Sequence, residues 1–445
     1  MGDNDDPRNE YGITGNPRRG LAMATLSFFA GLTTIAFYGV AGPTFQEALG
    51  ISGALLGLLL SSPHISKVFL RVPFGAWVDD IGARTPILIL LAMTIVGVAG
   101  LVGTLVLFYP DDFGSHLYVP LLVFGILAGA GSATFSVGIA QTSYWFPEDR
   151  QGFAMGAFAG AGNIGPGVFN SLIPVLIGIG GLAFAYGSWL AFMVVVTVLY
   201  FAYGANPYYF QLLDRGLDAE KAKGVAEEMG QEVFPAGGTW DSLRESSLNH
   251  WTWVLVFLYT VSYGGGFTAL TTWYPTYWNL FHDMSLTMAG LFAGVFVVYG
   301  SLIRIPGGSL SDRFGGEDVA TVSFAVMVLG AGIATFATGV VASFVGMMVL
   351  GTGMGVANAA VFELVPKYVP DAVGGASGWI GGIGGAGTLL VLPLLGVFVD
   401  VFGEIGYARG FSVIAGLSAV CVATSVALKF VGPDESAAAD ESAMH

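Results

Sequence analysis

The chain has 445 residues, of which 54% are hydrophobic and only 11% are charged. Soluble domains carry roughly 25% charged residues, so these few charges cannot cover a water-exposed surface of this size. The mean hydropathy is +0.72, and the 67 glycines suit membrane helices that pack closely. The composition therefore excludes a soluble globular protein and predicts an integral membrane protein.

The formal net charge is −15, and the acidic residues lie mainly at the two ends and in the polar breaks. Lysine is scarce, and an acidic, lysine-poor exterior favours a high-salt environment, where screening weakens self-repulsion. The alternative is an ordinary acidic protein. This exterior gives no reason to expect a nucleic-acid partner. Cys421 is the single cysteine and excludes an internal disulfide. The acidic start is not expected to be a cleavable signal peptide.

Twelve apolar runs are long enough to cross a membrane, which takes about 20 apolar residues. Because lipid offers the backbone no hydrogen-bond partner, these runs are expected to be helices. The sequence therefore predicts an all-α membrane protein with twelve transmembrane helices in two six-helix halves. The expected spans are 21–41, 52–77, 86–108, 117–142, 152–177, 182–204, 251–280, 287–310, 319–341, 343–365, 374–399 and 407–431.

A polar stretch divides the first six runs from the last six and is expected to contain a short surface helix. If both termini are cytoplasmic, twelve Lys and Arg residues lie inside and Arg409 alone lies outside. This bias predicts a multi-pass protein of the cell membrane with both termini in the cytoplasm. The expected organisation is a disordered tail at 1–20, an N-terminal half at 21–204, a cytoplasmic linker at 205–250, a C-terminal half at 251–431 and a disordered tail at 432–445.

Two sets of residues recur at matching spacings in the two halves. Because both sets occur in the same order and each half has six spans, they indicate a parallel duplication. The first set is Arg71, Pro73, Asp79 and Gly82, matched by Arg304, Pro306, Asp312 and Gly315. The second set is Gly156, Gly160, Gly162 and Gly165, matched by Gly378, Gly382, Gly384 and Gly387.

The segment after each arginine resembles the loop signature of the major facilitator superfamily, Gly-x-x-x-Asp-Arg-x-Gly. The first copy departs from this signature, because Asp80 stands where arginine is usual. The resemblance implies the transporter fold of that superfamily and indicates no particular substrate. The glycine rows let helices approach closely, and we expect them to let the fifth and eleventh helices slide as the two halves rock.

Arg71 and Arg304 lie inside apolar runs, where a charged side chain costs at least about 2.5–3.5 kcal/mol. Neither has an acidic residue in the two preceding turns of its own run. Snorkelling to the cytoplasmic interface is the alternative, but it does not explain why both halves carry arginine. Two unpaired guanidinium groups with paired planar donors favour a planar oxyanion between the halves.

Polar and aromatic residues on other runs are further candidates for this site. Asn163 interrupts the first glycine row, and a buried amide needs a partner, either an anion or another helix. Its counterpart in the second half is Gly385. Phe135 is the bulky residue in a run of small ones, and Tyr259 and Tyr263 share one helix face. For each of these aromatic residues, ordinary packing is the alternative.

Nearly the whole chain resembles the nitrate/nitrite porter (NarK-type) branch of the major facilitator superfamily. The resemblance rests on the paired Arg-x-Pro runs and on the signature Gly-x-x-x-Gly-x-Gly-Asn-x-Gly at 156–165. It implies that two arginines hold the anion between the halves, helped by an amide and aromatic rings. The corresponding residues are Arg71, Arg304, Asn163, Phe135, Tyr259 and Tyr263. The last position is usually Phe, which makes Tyr263 a departure from the pattern.

His64, Lys67 and Arg71 form one basic stripe over two helical turns, because they lie at i, i+3 and i+7. Three basic groups with no acid among them cannot all be charged comfortably inside a membrane. Histidine titrates near neutrality, so anion binding could favour protonation of the stripe and couple proton and anion uptake. The alternative is that His64 hydrogen-bonds a neighbouring helix and that Lys67 snorkels or meets an acid elsewhere.

The sequence favours a secondary transporter of nitrate, nitrite or both that works by alternating access. The alternatives are a proton-coupled transporter of another small anion and an anion channel, and a twofold repeat about one central site favours the transporter. No metal-ligand cluster, cofactor motif or catalytic motif occurs in the sequence, so we expect no metal, no cofactor and no enzymatic activity. The expected partners are the anion, membrane lipid and, through the basic stripe, protons, and the chain is expected to be a monomer.

Overall fold

The computed structural model of the chain describes residues 10–234 and 239–431, and within these residues it is helical with no strand. Eleven helical segments are long and apolar enough to cross a membrane. The expected tail at 432–445 and residues 1–9 of the expected tail at 1–20 lie outside the described residues. The first helix begins at Pro17, so it includes the last residues assigned to the N-terminal tail.

One of the eleven segments is a pair of crossing helices. Ala154–Tyr203 has 50 residues, about 75 Å of continuous helix at 1.5 Å per residue, whereas the hydrocarbon core is about 30 Å thick. Gly181 interrupts the segment with φ 78° and ψ −179°, a conformation that only glycine adopts readily. Dividing the segment there gives twelve crossing helices and agrees with the predicted number.

We label the crossing helices α1 (Pro17–Leu49), α2 (Gly53–Ile81), α3 (Arg84–Phe108), α4 (Ser115–Trp145), α5 (154–180), α6 (182–203), α7 (His250–Leu280), α8 (Leu286–Ser311), α9 (Gly316–Phe336), α10 (Val340–Tyr368), α11 (Val373–Arg409) and α12 (Phe411–Val431).

Several crossing helices contain a short irregular segment. Among the described residues, 3₁₀ turns occur at Thr33–Ala36 and Gly39–Ala41 in α1, at Ser115–Leu117 and Gly129–Ala133 in α4, and at Gly384–Ala386 and Gly403–Ile405 in α11. Helix α7 contains a π-helical segment, Thr260–Thr268, and α8 is interrupted between Leu302 and Arg304. Because π-helical turns often occur at functional sites, the middle of α7 is a candidate region for function.

The linker between the halves contains three short helices, Tyr208–Asp214, Ala219–Glu228 and Thr239–Leu248, where the sequence predicted one. The third of these helices packs against α11. Trp379 donates through Nε1 to the Leu243 carbonyl oxygen at 2.8 Å, and the Gly375 amide donates to Ser242 Oγ at 3.1 Å. The linker is therefore attached to the second half by hydrogen bonds.

The two halves touch closely at the end of the molecule where α2 begins and α11 ends. The Asp400 carboxylate accepts hydrogen bonds from the backbone amides of Gly53 at 2.6 Å and Ala54 at 2.8 Å. A side chain on Gly57 would clash with the Leu392 backbone of α11. At the same end, Thr272 of α7 donates to the Ile35 carbonyl of α1 at 2.7 Å. The halves are thus closed against each other at this end.

Candidate anion-binding site

A cavity of about 410 Å³ lies between the two halves. All six residues that the resemblance assigns to the anion site line this one cavity, although they come from five different helices. The lining residues are Arg71, Phe135, Gly156, Ala159, Gly160, Asn163, Ile164, Tyr259, Tyr263, Val298, Ser301, Leu302, Arg304, Ile305, Asn358, Ala359 and Phe362.

Arg71 is buried in α2, with only 2% of its surface exposed. Its Nη1 donates to the Gly381 carbonyl oxygen of α11 at 2.8 Å, and its guanidinium carbon lies 4.7 Å from the centre of the Phe135 ring. Its Nε and Nη2 have no hydrogen-bond partner among the described residues. These contacts fix the guanidinium group and leave two donors for a ligand, and a buried charge of this kind is stable only when it is compensated.

Arg304 is the first residue of the second helical piece of α8, directly after the interruption at Ile303. It is half-buried and lines the cavity. Its guanidinium group lies close to the Tyr259 hydroxyl group. None of the described ion pairs involves Arg304 or Arg71. The cavity therefore carries two guanidinium charges, one from each half.

The tyrosines of α7 form a stacked pair on the cavity wall. The rings of Tyr259 and Tyr263 lie 4.9 Å apart with an interplanar angle of 18°, and Tyr263 also stacks on Phe267 at 6.3 Å. The edge of Tyr259 meets Phe362 of α10 at 5.0 Å. Tyr263 lies in the π-helical segment, and its hydroxyl group is near the positive charges of both arginines and Lys67. Replacing the usual Phe by Tyr at this position is thus compatible with ring stacking.

Asn163 faces the cavity without bonding to another helix in the described contacts. Its Nδ2 donates to the Ala159 carbonyl oxygen of its own helix at 2.8 Å, which uses one of its two amide hydrogens. Its counterpart Gly385 leaves space on α11, and the Lys67 side chain fills this space. The two halves therefore differ at this position.

The basic stripe of α2 contacts the second half. His64 and Lys67 are completely buried. His64 Nε2 lies 3.3 Å from Thr272 Oγ1, and Lys67 Nζ donates to Thr268 Oγ1 at 3.3 Å. Lys67 also lies 4.4 Å from the centre of the Tyr263 ring. His64 thus lies within hydrogen-bond distance of a neighbouring helix, which is the alternative to a role in proton coupling. Lys67 is buried, so it does not snorkel, and it forms no ion pair with a described carboxylate.

The two glycine rows meet different surroundings along their length. Gly156 and Gly160 line the cavity, and no atom lies within 4 Å of a Cβ added at either position. The other six glycines of the two rows are closely packed against neighbouring residues. A Cβ added there would contact Phe28 at Gly162, Phe29 at Gly165, Leu243 at Gly378, Val72 at Gly382, Tyr259 at Gly384 and Thr260 at Gly387. Two of the eight glycines thus shape the cavity, while the others allow close helix packing.

The two loop signatures share their backbone geometry. Gly82 ends α2 with φ 74°, and Gly315 follows the end of α8 with φ 86°, and such positive values favour glycine. Asp79 accepts a hydrogen bond from the Tyr144 hydroxyl of α4. The side chain of Asp312 lies outside the described part of the structure.

Sequence analysis missed Asn358, Ser301 and Phe362 as cavity residues. Asn358 of α10 is completely buried, and neither Nδ2 nor Oδ1 has a hydrogen-bond partner in the described part of the chain. The signal that could have identified it is the one that identified Asn163, an isolated amide in an apolar run.

This helical architecture, with a cationic cavity between two six-helix halves, is that expected of a membrane transporter. The family model described as "Major Facilitator Superfamily" matches residues 23–387 and 284–444. The chain belongs to the major facilitator superfamily.

Curated relatives and solved structures agree with this assignment. The chain is 29% identical over 402 residues to a "Probable nitrate/nitrite antiporter NarK1" of Thermus thermophilus, covering 84% of each chain. It is 26% identical over 406 residues to a "Probable nitrate transporter NarT" of Staphylococcus epidermidis, covering 90% of this chain and 94% of that one. These relatives support the predicted resemblance to nitrate/nitrite porters. The xylose transporter XylE of E. coli, in a partially occluded inward-open conformation, matches with TM-score 0.71 at 13% identity, covering 94% of this chain and 100% of that one, and shows the fold alone.

We expect Gly160→Leu to weaken oxyanion binding by at least about tenfold, because the added side chain would occupy cavity space that no protein atom fills. The measurement is the dissociation constant of the purified protein for nitrate. Gly416→Leu on α12 is the control, since Gly416 is exposed and also has no atom within 4 Å of an added Cβ. Unchanged affinity with slower transport would contradict this role and favour helix sliding at Gly160.

Proposed function

We propose that the chain is a secondary transporter that moves nitrate, nitrite or both across the cell membrane, with the anion held between Arg71 and Arg304. The observation that carries this proposal is the convergence of two guanidinium groups from equivalent positions of the two halves on one cavity. The names of the curated relatives support the class of substrate.

The chemistry of the cavity suits a small planar oxyanion. A guanidinium group offers paired donors in one plane, which match two oxygens of a trigonal anion, whereas an ammonium group acts as a point charge. Among the described residues, Nε and Nη2 of Arg71 have no hydrogen-bond partner and could donate to such a pair. Four aromatic residues, Phe135, Tyr259, Tyr263 and Phe362, line part of the cavity, and less polar surroundings than water strengthen the attraction between an anion and the arginines.

The halves are proposed to rock about this site. The positive-inside bias supports cytoplasmic termini, which would make the closed end of the molecule the extracellular side and give an inward-facing state. Opening the closed end would require the Asp400–Gly53 hydrogen bond to break, because it joins the two halves there. An anion between the arginines would reduce their mutual repulsion and allow the halves to close around it.

The close contact at one end favours a transporter over an anion channel, because a channel needs a path that is open to both sides at once. We further propose that the chain works as a monomer and that its acidic, lysine-poor exterior is adapted to high salt.

We expect Arg71→Lys and Arg304→Lys to reduce nitrate transport at least about tenfold, because lysine keeps the charge but loses the paired donors. Uptake of labelled nitrate into proteoliposomes, normalised to protein content, measures this effect. Arg409→Lys is a control, since Arg409 lies outside the cavity at the end of α11. Uptake close to that of wild type in both cavity variants would contradict the two-arginine site.

We also propose that the basic stripe of α2 couples anion movement to protons. Lys67 is buried without a described carboxylate partner and lies against Tyr263, which lines the cavity. A bound anion would offset the positive charge of the stripe and so favour its protonation, which is a coupling of the two binding events. Exchange of nitrate for nitrite without protons is the alternative.

Proton coupling predicts that nitrate uptake by wild-type proteoliposomes carries protons with it, and that His64→Gln or Lys67→Gln lowers the number of protons per anion. A pH-sensitive dye inside the vesicles and labelled nitrate measure the two fluxes together. If wild type moves no protons with nitrate, the coupling is wrong. If both variants move as many protons per anion as wild type, the stripe is not the route.

A further inference from the structure

The cavity contains a second amide that neither the glycine-row signature nor the repeat accounts for. Asn358 is completely buried in α10 and lines the cavity, and both polar atoms of its side chain lack a partner among the described residues. A buried amide without hydrogen bonds costs free energy. A ligand in the cavity that accepted a hydrogen bond from this amide would remove that cost.

Asn358 lies on the helix that packs against the segment of α8 that contains Arg304. The backbone of α10 packs against α8 at this level, because a Cβ added at Gly355 would clash with Ile303 and would lie 3.6 Å from the Arg304 amide nitrogen. A Cβ added at Gly307 would likewise meet the backbone of Val356 at 3.0 Å. These contacts bring α10 close to the segment of α8 that contains Arg304, about one turn before Asn358.

Each half contributes one arginine and one amide side chain to the cavity, although the two amides do not occupy equivalent positions in the repeat. The first half contributes Arg71 and Asn163 to the cavity, and the second contributes Arg304 and Asn358. Gly385, the counterpart of Asn163, has no side chain with which to donate a hydrogen bond, and Lys67 fills the space beside it. The second half thus supplies its amide from α10 instead of α11.

The acceptors of a trigonal oxyanion suggest a role for this amide. Nitrate has one more oxygen than nitrite, and each oxygen can accept more than one hydrogen bond, so a donor beyond the two guanidinium groups has more acceptor positions on nitrate. Asn163 already donates one amide hydrogen to its own helix, whereas neither polar atom of the Asn358 side chain has a partner among the described residues. We propose that Asn358 Nδ2 donates to the third oxygen of a trigonal oxyanion, so that this residue favours nitrate over nitrite. This inference rests on the proposed function.

The test is Asn358→Leu, which keeps a similar shape and removes both polar atoms. Calorimetry on purified protein would give the dissociation constants for nitrate and nitrite. The nitrate affinity should fall about tenfold or more, as expected for loss of a hydrogen bond to a charged group, while the nitrite affinity falls less than about threefold. The melting temperature without anion should stay the same or rise, because the variant no longer buries an unpaired amide.

The matched control is Thr352→Val on the same helix, which removes a hydrogen bond between Thr352 and the Tyr299 hydroxyl group outside the cavity. It should leave the ratio of the two affinities unchanged. Asn358→Ala provides the same comparison if the leucine variant does not fold. Equal losses for nitrate and nitrite, or no loss for either, would overturn the role of Asn358 while leaving the two-arginine site intact. If wild-type protein binds neither anion, both this inference and the proposed function are wrong.

Discussion

The structure depends on two guanidinium charges near the middle of an apolar, membrane-spanning molecule. Arg71 and Arg304 come from different halves and converge on one cavity, with no described ion pair to neutralise them. Charges in such a place are costly, and the surroundings reduce this cost only in part. Arg71 has one hydrogen bond to the opposite half and one aromatic face beside it. The proposed anion would supply further compensation, and this would link the fold to anion transport.

Arg71 also takes part in the contacts that join the two halves. Binding of an anion at Arg71 and movement of the halves would therefore involve the same helix, α2. From Gly53 through Lys67 to Arg71, one side of α2 contacts α7 and α11 of the second half. Glycines permit these contacts by removing side chains where backbones meet, whereas Gly156 and Gly160 leave open space at the cavity. A substrate that changes the charge balance at Arg71 therefore acts on the interface whose opening alternating access requires.

Much of this arrangement could be predicted from the sequence, because its signals are chemical or periodic. Arginines in apolar runs, a repeat with fixed offsets and an isolated Asn163 each indicate a site without knowledge of distances. Other features depend on tertiary structure. Phe135 and Arg71 are 64 positions apart, and only the fold shows that the ring covers the guanidinium group. Asn358 has no repeat partner, and the sequence alone does not show that its amide is buried without a hydrogen bond.

The most direct test of the central claim is counterflow of labelled nitrate in proteoliposomes that contain the purified wild-type protein. A transporter with one site that faces each side in turn exchanges internal for external anion. Vesicles preloaded with unlabelled nitrate should therefore accumulate external labelled nitrate transiently above its equilibrium level, and excess nitrite should reduce this accumulation. Labelled nitrate that only equilibrates, to the same extent with and without preloading, would contradict alternating access, and no protein-dependent nitrate movement at all would contradict the proposed substrate.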